Sequence, residues 1–441
     1  MSRINFYKYR YYKIVPVLYF LFQISSISAQ SFVTKNIQIK DFQNTFYIQE
    51  IPIEVSGLPN KMDTSFGLEK IKLTLHHNRT SDLKIQLQAP DGTTCWVTNR
   101  NGKEANYINT QISQYGKDGL INNAKNPFIG NYIPDGQITY FTNGSNPNGT
   151  WKLLVEDLRA EETGLLDSIT LYFGKHPAFI RQKRYCNFKD AAFCICNTKT
   201  KELLPDLVVI PSFTKNQMQE FASNDSSFPR QLKISVAIAN IGLGPLEVAP
   251  DTVLTSTCCT NDTTQYSDKR YNVFQKIYSL NNNKFSSNTK KAGTIYYEKM
   301  PGHHHFHVDD WIEMRLVKII NGKRIVITKG SKVSYCLFTT GMLYEKDSNS
   351  FINGKMYGTN MNNYGLGDYF ACSLSKQGIS VGGYDYYGLM YEGQFLNLPK
   401  KLKNGKYILE IEIDPHNWYK ESNKTNNIFR MPVTINKQEI R

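Results

Sequence analysis

Past residue 22 the chain has no apolar run approaching the ~20 residues needed to cross a hydrocarbon core, so no transmembrane helix is expected in the mature protein. The one long apolar run, Ile14 to Phe22, is itself too short. It follows Arg3, Lys8, Arg10 and Lys13 and gives way to the small, polar tail SSISAQ. That order is a secretory signal peptide, assigned to residues 1–29 with cleavage near Ala29. The mature chain is therefore expected to be secreted, extracellular and free of the membrane. Also missing are a dense basic tract and any nucleic-acid-binding motif, although the formal charge is +14. Four of those charges leave with the leader, and the rest are scattered singly, which excludes nucleic acid and suits acidic matrix or cell-surface polymers as partners. Long helical periodicity is scarce, which excludes a helical bundle.

Cysteine is sparse, with eight in the chain: Cys95, Cys186, Cys194, Cys196, Cys258, Cys259, Cys336 and Cys372. In an oxidising compartment these read as disulfides. N-x-S/T sequons at Asn78, Asn143, Asn148, Asn224, Asn261 and Asn423 are glycan acceptors if the secretory route has the enzymes.

Period-two alternation recurs along the sequence: Ile71, Leu73, Leu75; Leu83, Ile85, Leu87; Leu232, Ile234, Val236, Ile238; Leu409, Ile411, Ile413. Bounded by Gly, Asn and Pro turns, it predicts an all-β protein of sandwich type. The pattern breaks between residues 175 and 200 and restarts at LPDL, from Leu204. Hence the expected division is a sandwich over 40–175, a linker over 176–202 and a second domain over 203–436. The linker's basic run, Arg181, Gln182, Lys183 and Arg184, suits a furin-like processing protease.

The blocks LEKIKLTLHHNRTSDLKIQLQAPDGTT (Leu68 to Thr94), NPNGTWKLLVEDL and GLLDSITLYFG make the first domain similar to the P domain of proprotein convertases. The resemblance implies a jelly-roll β-sandwich without chemistry of its own. The segment before it is too short for a protease scaffold, so a convertase is not expected. Asp82 and Asp157 are candidates to hold a structural calcium ion. His76 and His77, adjacent on a strand, point to opposite faces and are read as structural.

Half of the eight histidines fall in one window, GHHHFHVDDW. On a strand, His303, His305 and His307 share a face, from which three imidazoles converge on one ion, while His304 points away. An all-nitrogen set suits copper or zinc, with copper favoured by the affinity order. Asp309 and Asp310 are candidate acceptors for imidazole N–H groups.

With GSKVSYCL, DYFACSLSKQGISVGGYDYYG and GKYILEIEIDPHNWYKESNKTNN, in that order and spacing, this window resembles the lysyl oxidase catalytic domain over roughly residues 203 to 436. The resemblance implies a β-sandwich with long loops. It also implies copper on His303, His305 and His307, and a disulfide joining Cys336 to Cys372. Lys332 and Tyr387 match the family's lysine and tyrosine that join as lysyl tyrosylquinone. Asp385, two residues before Tyr387, is the candidate base or quinone orienter. The implied activity is oxidation of a primary amine, or of a protein lysine, by oxygen to an aldehyde, with release of hydrogen peroxide and ammonia. Gly302 stands where mammalian members carry a cysteine, and the spacer after the last histidine is short. The pattern looks closer to the shorter, microbial-type members and gives no support for collagen or elastin as substrates. Two other readings remain at this stage: a non-catalytic, metal-binding adhesin, which would need neither Lys332 nor Tyr387, and a zinc hydrolase, which lacks an H-E-x-x-H element.

Overall fold

A computed structural model describes residues 29–43, 47–102, 106–178, 202–251, 269–281, 284–298, 305–330, 334–345, 347–369, 372 and 375–438. The leader, the basic run Arg181–Arg184, His303, His304, Lys332, the sequon at Asn261 and five cysteines (Cys186, Cys194, Cys196, Cys258, Cys259) lie outside the described residues.

The protein is predominantly β-sheet, and the single α-helix among the described residues is the short segment Pro211–Asn216. In the first unit a five-stranded sheet, ordered Gln30–Ile39, Gly164–Gly174, Gly67–His77, Tyr107–Ile112 and Asn131–Tyr132, faces a four-stranded one. The latter runs Gln49–Val55, Gly149–Asp157, Leu83–Gln88 and Thr94–Asn99. Ile71, Leu73, Leu75, Leu83, Ile85 and Leu87, the alternating residues of the sequence, are buried between the two sheets with Trp151 and Phe173. The first strand begins at Gln30, ten residues ahead of the start expected at 40. Its alternation is broken at Asn36, which stands at φ 57° between the Lys35–Ser168 and Ile37–Leu166 pairs, although the register itself is unchanged across it.

The second unit carries a sheet ordered His305–Val308, Lys284–Glu298, Arg270–Asn281, Leu246–Pro250 and Gln377–Ile379. A second sheet runs Leu207–Val209, Val236–Asn240, Gly383–Tyr387, Gly341–Met342, and a third runs Lys323–Lys329, Ile312–Ile320, Gly405–Ile413, Ile428–Ile435. Ile234, Ile238, Leu409, Ile411 and Ile413 fill the core they enclose. Within Gly405–Ile413 the opposite face carries Glu410, only 1% exposed, whose carboxylate meets Arg315, Arg324 and Arg430. Those hydrogen bonds, Arg324 foremost, hold its acidity at about 2.

Two ties position the site. Val308 and Tyr335 exchange backbone hydrogen bonds (2.7 and 3.2 Å), anchoring the histidine strand to the segment that carries Cys336. Buried Gln377 donates to Phe306 O (2.7 Å) and accepts from Leu337 N (3.0 Å), joining the same two segments a second time.

Two outcomes follow from this packing. A carboxyl lowered in the folded state stabilises fully above its unfolded value near 4.5 and loses that contribution as pH falls toward about 2. Glu410→Gln should therefore lower stability by about 1–2 kcal/mol at neutral pH, less than for a fully buried pair because Arg324 and Arg430 are half in water. It should also flatten the loss of stability between pH 4.5 and 2, read by thermal melts across that range. Gln377→Met leaves a buried carbonyl and a buried N–H without partners and should cost about 2–4 kcal/mol. Urea unfolding with an unchanged m-value measures that, and wild-type stability would show that neither bond matters.

Candidate metal and cofactor site

His305 and His307 lie on one four-residue strand, His305–Val308, which pairs with Lys284–Glu298. Alternation puts both rings on one face, as the spacing predicted, and their Nε2 atoms stand 3.0 Å apart. Two imidazole nitrogens bound to one first-row ion at about 2.0–2.1 Å, at tetrahedral or square angles, are separated by roughly 2.9–3.4 Å. The donor pair therefore fits a shared ion. His307 is fully buried and His305 half-buried, leaving His305 as the member that faces open space.

Asp309 accepts from Arg270 (2.8 Å) and Thr294 (2.7 Å), and Asp310, at φ 48°, pairs with His416 at 3.0 Å.

Cys336 and Cys372 form a disulfide. Their sulfurs and a His305 ring nitrogen lie within 4.8 Å of one another, a His/Cys/Cys cluster of metal-ligating atoms. With the sulfurs bonded to each other, the thiolates that would bind a soft metal are absent, and the imidazoles are the available donors. Cys95 departs from the all-disulfide expectation: it is a free thiol, buried in the first unit's core as a small apolar side chain. Burial pushes its thiol well up, so it is inert.

Tyr387 ends the strand Gly383–Tyr387, which pairs with Val236–Asn240. Tyr384 and Tyr386 turn to the other face, against Phe213. The Tyr387 hydroxyl donates to Cys336 O (2.5 Å), and its ring stacks on Tyr335 at 3.5 Å and 11°. Tyr391 packs edge-on at 5.9 Å. Asp385 shares the Tyr387 face and is 1% exposed. Among the described residues neither of its oxygens has a hydrogen-bond partner. Burial pushes its carboxyl far above the usual range, opposed by the Phe338 and Tyr386 N–H groups. Burial likewise raises the Tyr387 phenol.

A recess beside Tyr387 is lined by His305 as well, bringing the histidine strand and the tyrosine strand to one space. The sequence reading missed Tyr335, Gln377, Trp96 and Lys84, which all border or brace this site. Only Tyr335 had a local signal, its place next to Cys336 in SKVSYCL.

The first unit's expected calcium pair is otherwise engaged. Asp82 faces Arg79 (3.7 Å) and Arg159 (3.8 Å), and Asp157 meets His77 at 3.3 Å. No third His, Cys, Asp or Glu completes a metal-holding group around them among the described residues. His76 points the opposite way from His77, to Asp167 at 2.5 Å.

A family model of the proprotein convertase P-domain matches residues 69–173, and one of lysyl oxidase matches residues 248–441. Protein-lysine 6-oxidase of Homo sapiens is 29% identical over 132 residues, covering 30% of this chain and 26% of that protein. The Sus scrofa protein-lysine 6-oxidase is 27% identical over 132 residues, 30% of this chain and 44% of the relative. Lysyl oxidase homolog 1 of Homo sapiens is 29% identical over the same length, 19% of its own chain. The chain thus spans less than half the length of these relatives. It joins a region similar to the P-domain to a following region similar to lysyl oxidase.

Proposed function

We propose that the protein is a secreted, copper-dependent oxidase of primary amines, with lysyl tyrosylquinone built from Lys332 and Tyr387. The observation that carries this reading is the convergence of His305 and His307, Nε2 to Nε2 at 3.0 Å, on a space that Tyr387 also lines, within a lysyl-oxidase-family domain. The signal-like leader supports secretion. His303, two residues ahead on the same alternation, is the proposed third ligand. Lys332 stands four residues before Cys336, whose carbonyl accepts from Tyr387. Four residues span at most about 14 Å of extended chain, so covalent connection alone holds Lys332 in this neighbourhood.

When formed, the copper and quinone supply the oxygen chemistry and the electron sink that turn an amine, oxygen and water into an aldehyde, ammonia and hydrogen peroxide. The chain's own groups provide position and proton transfer. The Tyr335 stack and the bond to Cys336 O fix the plane of the Tyr387 ring. The Cys336–Cys372 bridge fixes the backbone from which Lys332 departs. Asp385 supplies a carboxyl of lowered acidity, and its ionised form is correspondingly the stronger base for a proton on the carbon next to the substrate nitrogen. Phe338 and Tyr391 supply the apolar part of a recess whose other side carries Lys84, Arg100 and Glu392.

Purified, copper-loaded protein should stain for a redox-active quinone and release peroxide from primary amines. Tyr387→Phe should abolish both while retaining copper, and Lys332→Ala should fold without the mature cofactor. His305→Ala should lose tight copper binding with the sandwich intact, and Asp385→Asn should lower turnover by about 10²–10⁴-fold while the quinone still forms. Peptide mapping that finds the Lys332 and Tyr387 segments unjoined in enzyme that still oxidises amines would refute the assignment.

A further inference from the structure

The P-domain does not stand apart from the site. Trp96 packs on the second domain's core, edge-on to Phe338 at 5.1 Å and to Tyr391 at 6.5 Å. Arg100 pairs with Glu392, and Tyr140 donates to Thr339 O at 2.9 Å. Between the domains lie two adjoining spaces. One is a chamber of about 230 Å³ reaching the disulfide at Cys372, and the other is the recess beside Tyr387, about 30 Å³. Lys84, Trp96, His305 and Phe338 line both, so these four side chains form the neck between them. Two of the four belong to the P-domain.

We infer that the P-domain builds the amine entrance, with Trp96 setting its width and Lys84 its charge, so that bulk close to the nitrogen and a second positive charge a few carbons away are both turned back. The inference rests on the amine-oxidase reading and deepens it. The recess beside Tyr387 offers about 30 Å³ against about 230 Å³ in the chamber, so the neck opens into the tighter of the two spaces. Bulk attached close to the nitrogen would have to displace Trp96 or Phe338. With the first nitrogen in the recess, a second ammonium a few carbons away would sit at the neck beside the Lys84 amine, where like charges repel. Glu156, 3.4 Å from Lys84, balances that amine and is itself 4% exposed. Removing the lysine charge alone would leave a carboxylate there and reverse the sign of the neck. A lysine side chain in a protein and a free n-alkylamine share the chemistry that fits.

The test measures kcat/KM by peroxide release from the full-length, copper-loaded chain. Its amines are n-butylamine, acetyl-lysine amide, 1,4-diaminobutane and benzylamine. Wild type should prefer butylamine and acetyl-lysine amide to the diamine and to benzylamine by tenfold or more, and the ratio of the first two identifies the free or the peptidyl source. Lys84→Met should cut the preference over the diamine at least tenfold, and Trp96→Ala should cut the preference over benzylamine to a similar extent. Ratios within twofold of wild type in both variants would overturn the inference. A readout independent of turnover is the rate at which diethyl pyrocarbonate modifies His305 in the metal-free full-length chain. Trp96→Ala should raise it at least fivefold, with Trp96→Phe between, and an unchanged rate overturns the neck. If wild type yields no peroxide from any amine, the oxidase reading fails, and the His305 rate still decides whether the P-domain guards that site.

Discussion

The site is held together by the amide of Gln377. Three segments must meet for His305, Tyr387 and Cys336 to share one space, and they come from positions 305–308, 334–338 and 383–387. None is near another in sequence. The histidine strand has only four residues at a sheet edge, too few to be rigid through its own ladder. Gln377 bonds Phe306 O on one side and Leu337 N on the other, and its neighbour Gly378 donates to Leu337 O at 2.9 Å. These bonds are buried, where leaving a partner unmade costs more than making it gains. The arrangement is therefore nearly all-or-none: the segments either meet in this register or leave several polar groups stranded.

That dependence explains what could be read from sequence. Side-chain alternation is local, so the shared face of His305 and His307, and the opposite facing of Tyr387 from Tyr384 and Tyr386, were accessible from spacing alone. The Cys336–Cys372 pairing came from resemblance, since spacing does not select a partner. Gln377 was out of reach, because one glutamine looks like another until its two partners, 71 and 40 residues away, are known. Tyr335 was hidden among 28 tyrosines. Trp96 and Lys84 were hidden by the domain division itself: a sandwich read as having no chemistry was not searched for residues belonging to another domain's cavity.

Two carboxyls buried to the same degree, each 1% exposed, show how differently one charge is treated in a single domain. Glu410 sits beneath three guanidiniums and is driven down to about 2, a permanent anion whose role is to hold one sheet face together. Asp385 faces no such cation among the described residues, and burial drives its carboxyl upward. On the proposed reading, a carboxyl of this kind beside Tyr387 is placed for proton transfer.

The raised carboxyl of Asp385 also bears on how a cationic substrate is received. An anionic site would bind an ammonium tightly in its resting, unreactive form and spend binding energy on the ground state. The charges that line the recess and its neck are paired, Arg100 with Glu392 and Lys84 with Glu156, and Asp385 is buried beside Tyr387, outside that lining. On the proposed reading an arriving ammonium gains little from charge until it nears Asp385. There its own positive charge favours ionisation of the acid, and the ammonium and the carboxyl then hold one mobile proton between them. Loss of that proton leaves a free amine nucleophile beside the cofactor tyrosine and a carboxylate ready to accept a proton from carbon. On the proposed reading, the substrate's charge thus switches on the base, and it does so only for an amine that reaches the end of the recess.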